Sequence, residues 1–317
     1  RFHTCAIRDS DHHLFCWGNN SNGQLGNNST TDTSAPVALS SSGGWNAMSW
    51  KAVAAGDYHT CAIRESDNYL FCWGQGNSGE MGNNTTTNIN KLPLSTNMST
   101  TAWDTVSVGA AISCATRLSD GKAYCWGAGS KLVPTASGGA YNWASLSMFT
   151  YANIYGLDSS NNHAMYFALA DTSSTAQTST AWNQIVVGNT QSSSLYICGI
   201  KSSNKYMTCM GRGTAGELGT GDTVDASMTA LTGSFGTTAW KSMAAGHDGT
   251  AAGGHICAIR NSDGHMYCWG YGYYGQLGNN STTATNPTPL ALTSSGGWNS
   301  VAWKQVSASA LGTCGIK

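Results

Sequence analysis

The chain has 317 residues, Lys+Arg 15 against Asp+Glu 16, a net charge of −1 and only 10% charged residues. Without a basic run it lacks the clustered cations that displace counterions from phosphate, which argues against a nucleic-acid or nucleosome binder. No apolar run reaches membrane length, and no apolar presequence is visible. Arg1 is not an initiator methionine, so a processed chain or a fragment is expected.

In chain order, the first recognisable element is Cys5-Ala-Ile-Arg-Asp-Ser-Asp-His-His-Leu-Phe-Cys16, an apolar run, a polar turn and a second apolar run. This is the pattern of a β-hairpin. The same separation of eleven recurs at Cys61/Cys72, Cys114/Cys125, Cys198/Cys209 and Cys257/Cys268. Opposed residues of an antiparallel pair lie roughly 4.5–5.5 Å apart at Cα, inside the window a disulfide tolerates, so five hairpin disulfides are predicted. Between the third and fourth pairs, Tyr155 and Tyr166 occupy both positions at the same spacing. Joint replacement is expected of covalent couples and less expected of separate metal ligands or nucleophiles. Cys314, in Gly312-Thr313-Cys314-Gly315-Ile316-Lys317, is the odd cysteine. It reads as half of a sixth disulfide cut off by the end of the sequence or as an intermolecular link, with a catalytic thiol as the other alternative.

Repeat starts at Cys5, Cys61, Cys114, Tyr155, Cys198, Cys257 and Cys314 are 56, 53, 41, 43, 59 and 57 residues apart. Such periods suit four-strand propeller blades, so residues 1–317 are read as a single all-β β-propeller domain with little helix. One unit illustrates the order: a strand with Trp50 and Val53, the Cys61 strand, the Cys72-Trp73-Gly74 strand, then Leu92-Pro93-Leu94. Trp103/Val106, Trp182/Val186, Trp240/Met243 and Trp303/Val306 repeat the first of these. The twelve tryptophans are therefore expected to pack between blades, the alternative being an exposed ladder that binds sugars.

His-Thr-Cys-Ala-Ile-Arg at His3 to Arg8 and His59 to Arg64 is followed by Cys-Trp-Gly. Five residues after that glycine, or its counterpart, come Gly23-Gln24-Leu25-Gly26, Gly79-Glu80-Met81-Gly82, Gly216-Glu217-Leu218-Gly219 and Gly275-Gln276-Leu277-Gly278. In these elements the chain resembles the regulator of chromosome condensation repeat family. The resemblance implies a propeller, usually of seven blades; six, with the Trp303 strand completing the first unit, is the alternative. Cys125-Trp126-Gly127 runs into a shortened loop and Phe167-Ala168 replaces Trp-Gly, both departures from the pattern. The resemblance transfers fold and not task. Paired cysteines point to a secreted, extracellular or lumenal address, against nuclear residence or nucleotide exchange on a cytoplasmic GTPase.

Candidate N-glycosylation sites stand at Asn19, Asn27, Asn28, Asn83, Asn84, Asn97, Asn279 and Asn280, the alternative being plain turn residues. Arg8, Arg64, Arg117, Lys201, Arg260 and Lys317 stand three after the first position of each repeat, with Asp158 as the exception, and Asp11, Asp67, Asp120, Asn161, Asn204 and Asp263 stand six after it. Local turn bonds and surface pairs account for them, and a rim for an acidic partner is the alternative. His3, His59 and His255 each precede a cysteine by two and read as hydrogen-bonded structural groups, since a ring of repeats keeps them too far apart to converge on zinc. Asp9-Ser10-Asp11 lacks the rest of a calcium loop, and Ser-Asp-Gly at Ser119 and Ser262 lacks the continuation of a sialidase aspartate box. No catalytic constellation, cofactor or metal is expected. The reading is a non-enzymatic extracellular scaffold, a subunit of a surface or fibrous assembly that partners itself or another extracellular protein. The alternative is a secreted recognition module, a lectin or protein-inhibitor-like propeller, with Tyr271, Tyr273 and Tyr274 as candidate binding loop and glycans as ligands. A propeller hydrolase is the third reading.

Overall fold

Apolar runs of Ile, Val, Leu, Trp and Cys, divided by turns rich in Gly, Asn and Asp, give a chain of antiparallel strands in a computed structural model that describes residues 3–129, 131–139, 141–148, 153–168, 175–189, 195–247 and 253–317. Arg1 lies outside them. The described helix is confined to short 3-10 segments at Ser42–Ala47, Gly233–Thr237 and Ser295–Ser300, so no helix among the described residues is long and apolar enough to cross a membrane.

The chain divides into two compact units, Arg1–Asn161 with Met165–Gln177, and Asn162–Ala164 with Thr178–Lys317. In the first unit, Trp50–Ala55, His59–Arg64, Leu70–Gln75 and Ile89–Ser95 pair in chain order as a four-stranded meander. Trp103–Val108, Ile112–Arg117, Ala123–Gly127 and Lys131–Ser137 repeat it, and His3–Ile7, Leu14–Gly18 and Thr33–Ala38 form a three-stranded sheet. Trp143–Met148 pairs with Asn153–Asp158. In the second unit, the strand pairing from Trp182 to Asn189 meets Leu195–Lys201, followed by Met207–Gly211 and Ala226–Ala230. Trp240–His247, Gly254–Arg260, Met266–Tyr271 and Thr285–Ala291 make another four-stranded sheet, and Gln305–Ala308 pairs with Thr313–Ile316. All seven repeat starts read from the sequence fall on strands.

Register places each cysteine opposite its partner, Cys5 on Cys16, Cys61 on Cys72, Cys114 on Cys125, Cys198 on Cys209 and Cys257 on Cys268. All five couples are disulfide-bonded with Cα atoms 4.1 Å apart. At the Tyr155/Tyr166 positions two rings meet instead, centroids 5.1 Å apart. The glycine of Cys-Trp-Gly has its own task. Pairing with the following strand shifts register between Cys72 and Gly74, where Gly74 takes φ +106°, a bulge that a side chain would strain. A Cβ there would also stand 2.6 Å from the Tyr58 carbonyl oxygen.

Tryptophan fills the core. Trp50, Trp103, Trp143, Trp182, Trp240 and Trp303, from the first strands, are buried, as are Trp73, Trp126 and Trp269 from Cys-Trp-Gly strands. Trp50, Trp73, Trp103, Trp126, Trp143, Trp240, Trp269 and Trp303 lie inside apolar clusters together with disulfide-bonded cysteines, as Trp103 and Trp126 do with Cys61 and Cys72, and are not presented as a sugar-binding ladder.

Candidate functional site

The most regular polar feature runs between successive repeats. His59 Nε2 lies 2.8 Å from the Ser113 hydroxyl, and that hydroxyl donates to the Glu80 carbonyl oxygen at 3.1 Å. A hydroxyl has one proton. Having given it to the carbonyl, it accepts from the imidazole, which fixes the Nε2–H tautomer and leaves Nδ1 as an unpaired lone pair. His3, Thr60 and Gln24 O repeat the chain of bonds, as do His255, Thr313 and Gln276 O. Burial holds His3 and His59 down to a pKa of about 3 and His255 to about 4, so all three are neutral over the physiological range. Where the histidine is absent, its partner changes too. Ile112 faces the unit whose equivalent residue is Ile154, both in one apolar cluster, and Tyr196 precedes Cys198 while Ile256 precedes Cys257. The Tyr196 hydroxyl then donates to the Gly246 carbonyl oxygen at 3.1 Å.

The Gly-Gln/Glu-Leu/Met-Gly turns supply those carbonyls. Leu25, Met81, Leu218 and Leu277 are buried plugs, as expected from their pattern. The Gln or Glu between glycine and plug turns back on its own loop. Gln24 accepts from the Asn22 N–H at 2.9 Å, Glu80 from Ser78 at 2.7 Å, Glu217 from Ala215 at 2.8 Å and Gln276 from Tyr274 at 2.9 Å. Burial pushes the Glu80 and Glu217 carboxyls up. The bond common to all four turns asks only for an acceptor two positions along from the N–H, a role that Gln and Glu both fill.

At the hairpin tips, Arg8, Arg64, Arg117 and Arg260 fork onto Asp11, Asp67, Asp120 and Asp263, with Nε to carboxylate distances of 2.9, 3.1, 3.1 and 3.0 Å. The same aspartates accept backbone N–H bonds from His13, Tyr69, Lys122 and His265, and the guanidinium groups lie over Phe15, Phe71, Tyr124 and Tyr267. Bonding to arginine holds these carboxylates below the usual range, Asp263 at about 2. The bases are thus engaged within their own turns. Asn204 makes the same turn bond to Tyr206 at 3.0 Å.

Asn27, Asn83 and Asn279 accept from the N–H groups of Ser29, Thr85 and Ser281, so each sequon is folded as an Asx turn. Asn28, Asn84 and Asn280 follow at positive φ, exposed, as is Asn97. Asn19 bonds Gln24 and Ser21. Tyr273 and Tyr274 are more than half exposed, and with Tyr271 form a cluster whose ring centroids are 5.2 to 6.4 Å apart. Cys314 is an exposed free thiol. Among the described residues no group of three or more His, Cys, Asp or Glu gathers as a metal site.

Sequence comparison matches residues 11–63 and 263–316 to the regulator of chromosome condensation (RCC1) repeat, and residues 50–80 to a second model of that repeat. Over 66 residues the chain is 41% identical to the Ultraviolet-B receptor UVR8 of Arabidopsis thaliana, a stretch that is 21% of this chain and 14% of the receptor's length. Human WBSCR16 superposes with a TM-score of 0.78 at 14% identity, over 99% of this chain and 85% of that one. Yeast RCC1 (Prp20), solved with Kap60, gives 0.73 at 17% identity over 94% and 75%. At such identities these likenesses establish fold alone.

Proposed function

Because the chain carries RCC1 repeats and folds as an RCC1-like β-propeller with a disulfide in five of its hairpins, we propose that it is a secreted, non-catalytic scaffold, a subunit of an extracellular surface or fibrous assembly. The observation that carries the reading is the cystine set. Nine of the ten bonded cysteines are fully buried within the sheets, and disulfides at that density persist where the surroundings are oxidising. The engagement of the conspicuous polar groups supports a non-catalytic role, since the histidines are spent on hydroxyls and the tip aspartates on arginines. A rigid set of sheets presents loops without an ordering cost, which favours binding by shape. The test is electron microscopy of native protein purified without reductant. Filaments or regular stacks are expected, and a uniform population of single particles across the concentration range refutes assembly.

The tyrosine cluster favours a second reading, recognition of a glycan or protein surface through Tyr271, Tyr273 and Tyr274. These rings sit in one repeat only, at positions filled elsewhere by smaller side chains such as Asn22, Ser78 and Ala215 for Tyr274. A glycan array read with the native chain and with a Tyr273→Ala, Tyr274→Ala variant separates the two. Loss of a specific signal supports recognition, and no signal from the native chain on glycans excludes the lectin form of it. Glycans on the exposed sequons fit either reading, and intact mass before and after endoglycosidase treatment tests them.

A further inference from the structure

All five prolines of the chain lie in the last strand of a sheet, the strand whose outer edge carries no further strand among the described residues. Pro36, Pro93, Pro134 and Pro289 each precede by one the residue set opposite the second cysteine of a hairpin. The pairs are Val37 on Cys16, Leu94 on Cys72, Thr135 on Cys125 and Leu290 on Cys268. Proline has no N–H to offer a newcomer. With Lys91 and Lys131 on two of the same strands, it blunts edges that would otherwise template another strand.

The sheet that ends in Ala226–Ala230 departs from this. That strand pairs along one edge with Met207–Gly211 and along the other with no strand among the described residues. Thr229 stands opposite Cys209, so Met228 occupies the place that proline holds in the other four sheets. Cys198 and Cys209, with Cα atoms 4.1 Å apart, are a close, non-hydrogen-bonded pair, so Cys209 turns its N–H and C=O toward Thr229. Successive residues alternate, so Met228 turns its own N–H and C=O out of the sheet, as the prolines at this position require elsewhere. The Thr208 hydroxyl donates to Met228 Sδ at 3.2 Å, which lays the side chain along the sheet and leaves the backbone bare. Ser227 to Ala230 are exposed, and the strand carries no charged residue.

We infer that this edge is a self-association surface, on which the same strand of a second copy of the chain adds antiparallel about Met228. The occupant follows from the strand's own sequence, Ala-Ser-Met-Thr-Ala, which is self-complementary when reversed. Antiparallel pairing centred on Met228 sets Ala226 opposite Ala230 and Ser227 opposite Thr229, small against small and hydroxyl against hydroxyl. The two Met228 residues exchange both outward main-chain bonds with Cα atoms about 5.5 Å apart, and Ser227 meets Thr229 at about 4.5 Å. Asp225 falls opposite Leu231, so like charges do not face one another. Such a contact is isologous and closes as a pair of chains. It supplies one contact to the assembly reading without depending on it. Dimers without filaments leave this contact standing, whereas filaments that persist in a Met228→Pro chain leave only the assembly.

The test is analytical ultracentrifugation of the full chain across a range of concentrations, with Cys314→Ser throughout so that the free thiol forms no cross-link. A concentration-dependent dimer is expected. Met228→Pro, which copies the other four sheets, is expected to raise its dissociation constant on the order of tenfold or more, the ratio that about 1.4 kcal/mol of lost pairing gives. Its thermal melt is expected to stay that of the parent. Met228→Lys sets two cations opposite each other and leaves the backbone alone, and is expected to weaken the dimer likewise. Register is read by mixing Ser227→Cys and Thr229→Cys chains under mild oxidation. The mixed disulfide dimer is expected to exceed the dimer that either chain forms alone, because Ser227 faces Thr229 and not itself. Monomer at every concentration overturns the inference. So does a dimer that neither Met228 variant weakens, or cross-linking with no preference for the mixed combination.

Discussion

Acid is expected to loosen this fold through its buried histidines, and His59 is the cleanest place to measure it. Its pKa is held by burial at about 3 against 6.5 for the free side chain. The unfolded chain therefore binds a proton below about pH 6.5 that the folded chain refuses until about pH 3, so stability is lost as pH falls through that window. At about pH 4.5 the difference amounts to about two pH units, or about 3 kcal/mol for this one group. A His59→Gln variant keeps an N–H donor for Ser113 and removes the titration. Urea denaturation followed by tryptophan fluorescence, at fixed ionic strength and with disulfides intact, then compares both proteins near neutrality and near pH 4.5. The variant is expected to lose about 3 kcal/mol less than the native chain over that interval. Glu80, whose carboxyl burial pushes up, acts in the opposite sense, but it is present in both proteins and cancels. Equal losses in the two proteins refute the assignment of His59 as a neutral buried donor.

Replacing Cys61 and Cys72 together by serine opens a loop closed at a separation of 11, and is expected to cost about 3 kcal/mol by loop entropy, read as a lower guanidinium midpoint. Trp126→Phe removes the donor to Glu80 O while Ser113 keeps that carbonyl bonded, so a loss of about 1 kcal/mol is expected by the same denaturation. Arg117→Ala at a hairpin tip is expected to cost under about 1 kcal/mol, because the pair with Asp120 is partly exposed and screened. Gly82→Ala brings a Cβ within 2.7 Å of the Trp126 indole nitrogen at a positive φ, and is expected to cost more than the arginine change in a parallel thermal melt.

Much of this was legible in the primary structure because its devices are local. A hairpin writes both of its cysteines within one short segment, so register and disulfide follow from a single spacing, and the paired tyrosines at 155 and 166 confirm it by exception. The first-strand tryptophans were equally plain from their recurrence. The role of the histidines as links was harder, because the partner hydroxyls of His3 and His59 lie 57 and 54 residues away in the next repeat. A signal existed in their joint variation: histidine goes with Thr60, Ser113 or Thr313, while Ile112 and Tyr196 go with Ile154 and Ile256. The turn-closing role of Gln24, Glu80, Glu217 and Gln276 was missed for another reason. Interchange of an amide and an acid at one repeated position marks an acceptor, but it does not say whose N–H is accepted until the loop is folded.

Every cystine in this protein spans a single hairpin, and none of the five ties one repeat to the next. Proteolytic damage therefore has two unequal outcomes. A nick at the tip of a disulfide-bonded hairpin leaves both halves covalently joined and the sheet able to survive, whereas a nick in the connection between repeats leaves only packing and hydrogen bonds to hold the pieces. Limited digestion should yield fragments that separate only after reduction when the cut is at such a tip, and without reduction when it lies between repeats.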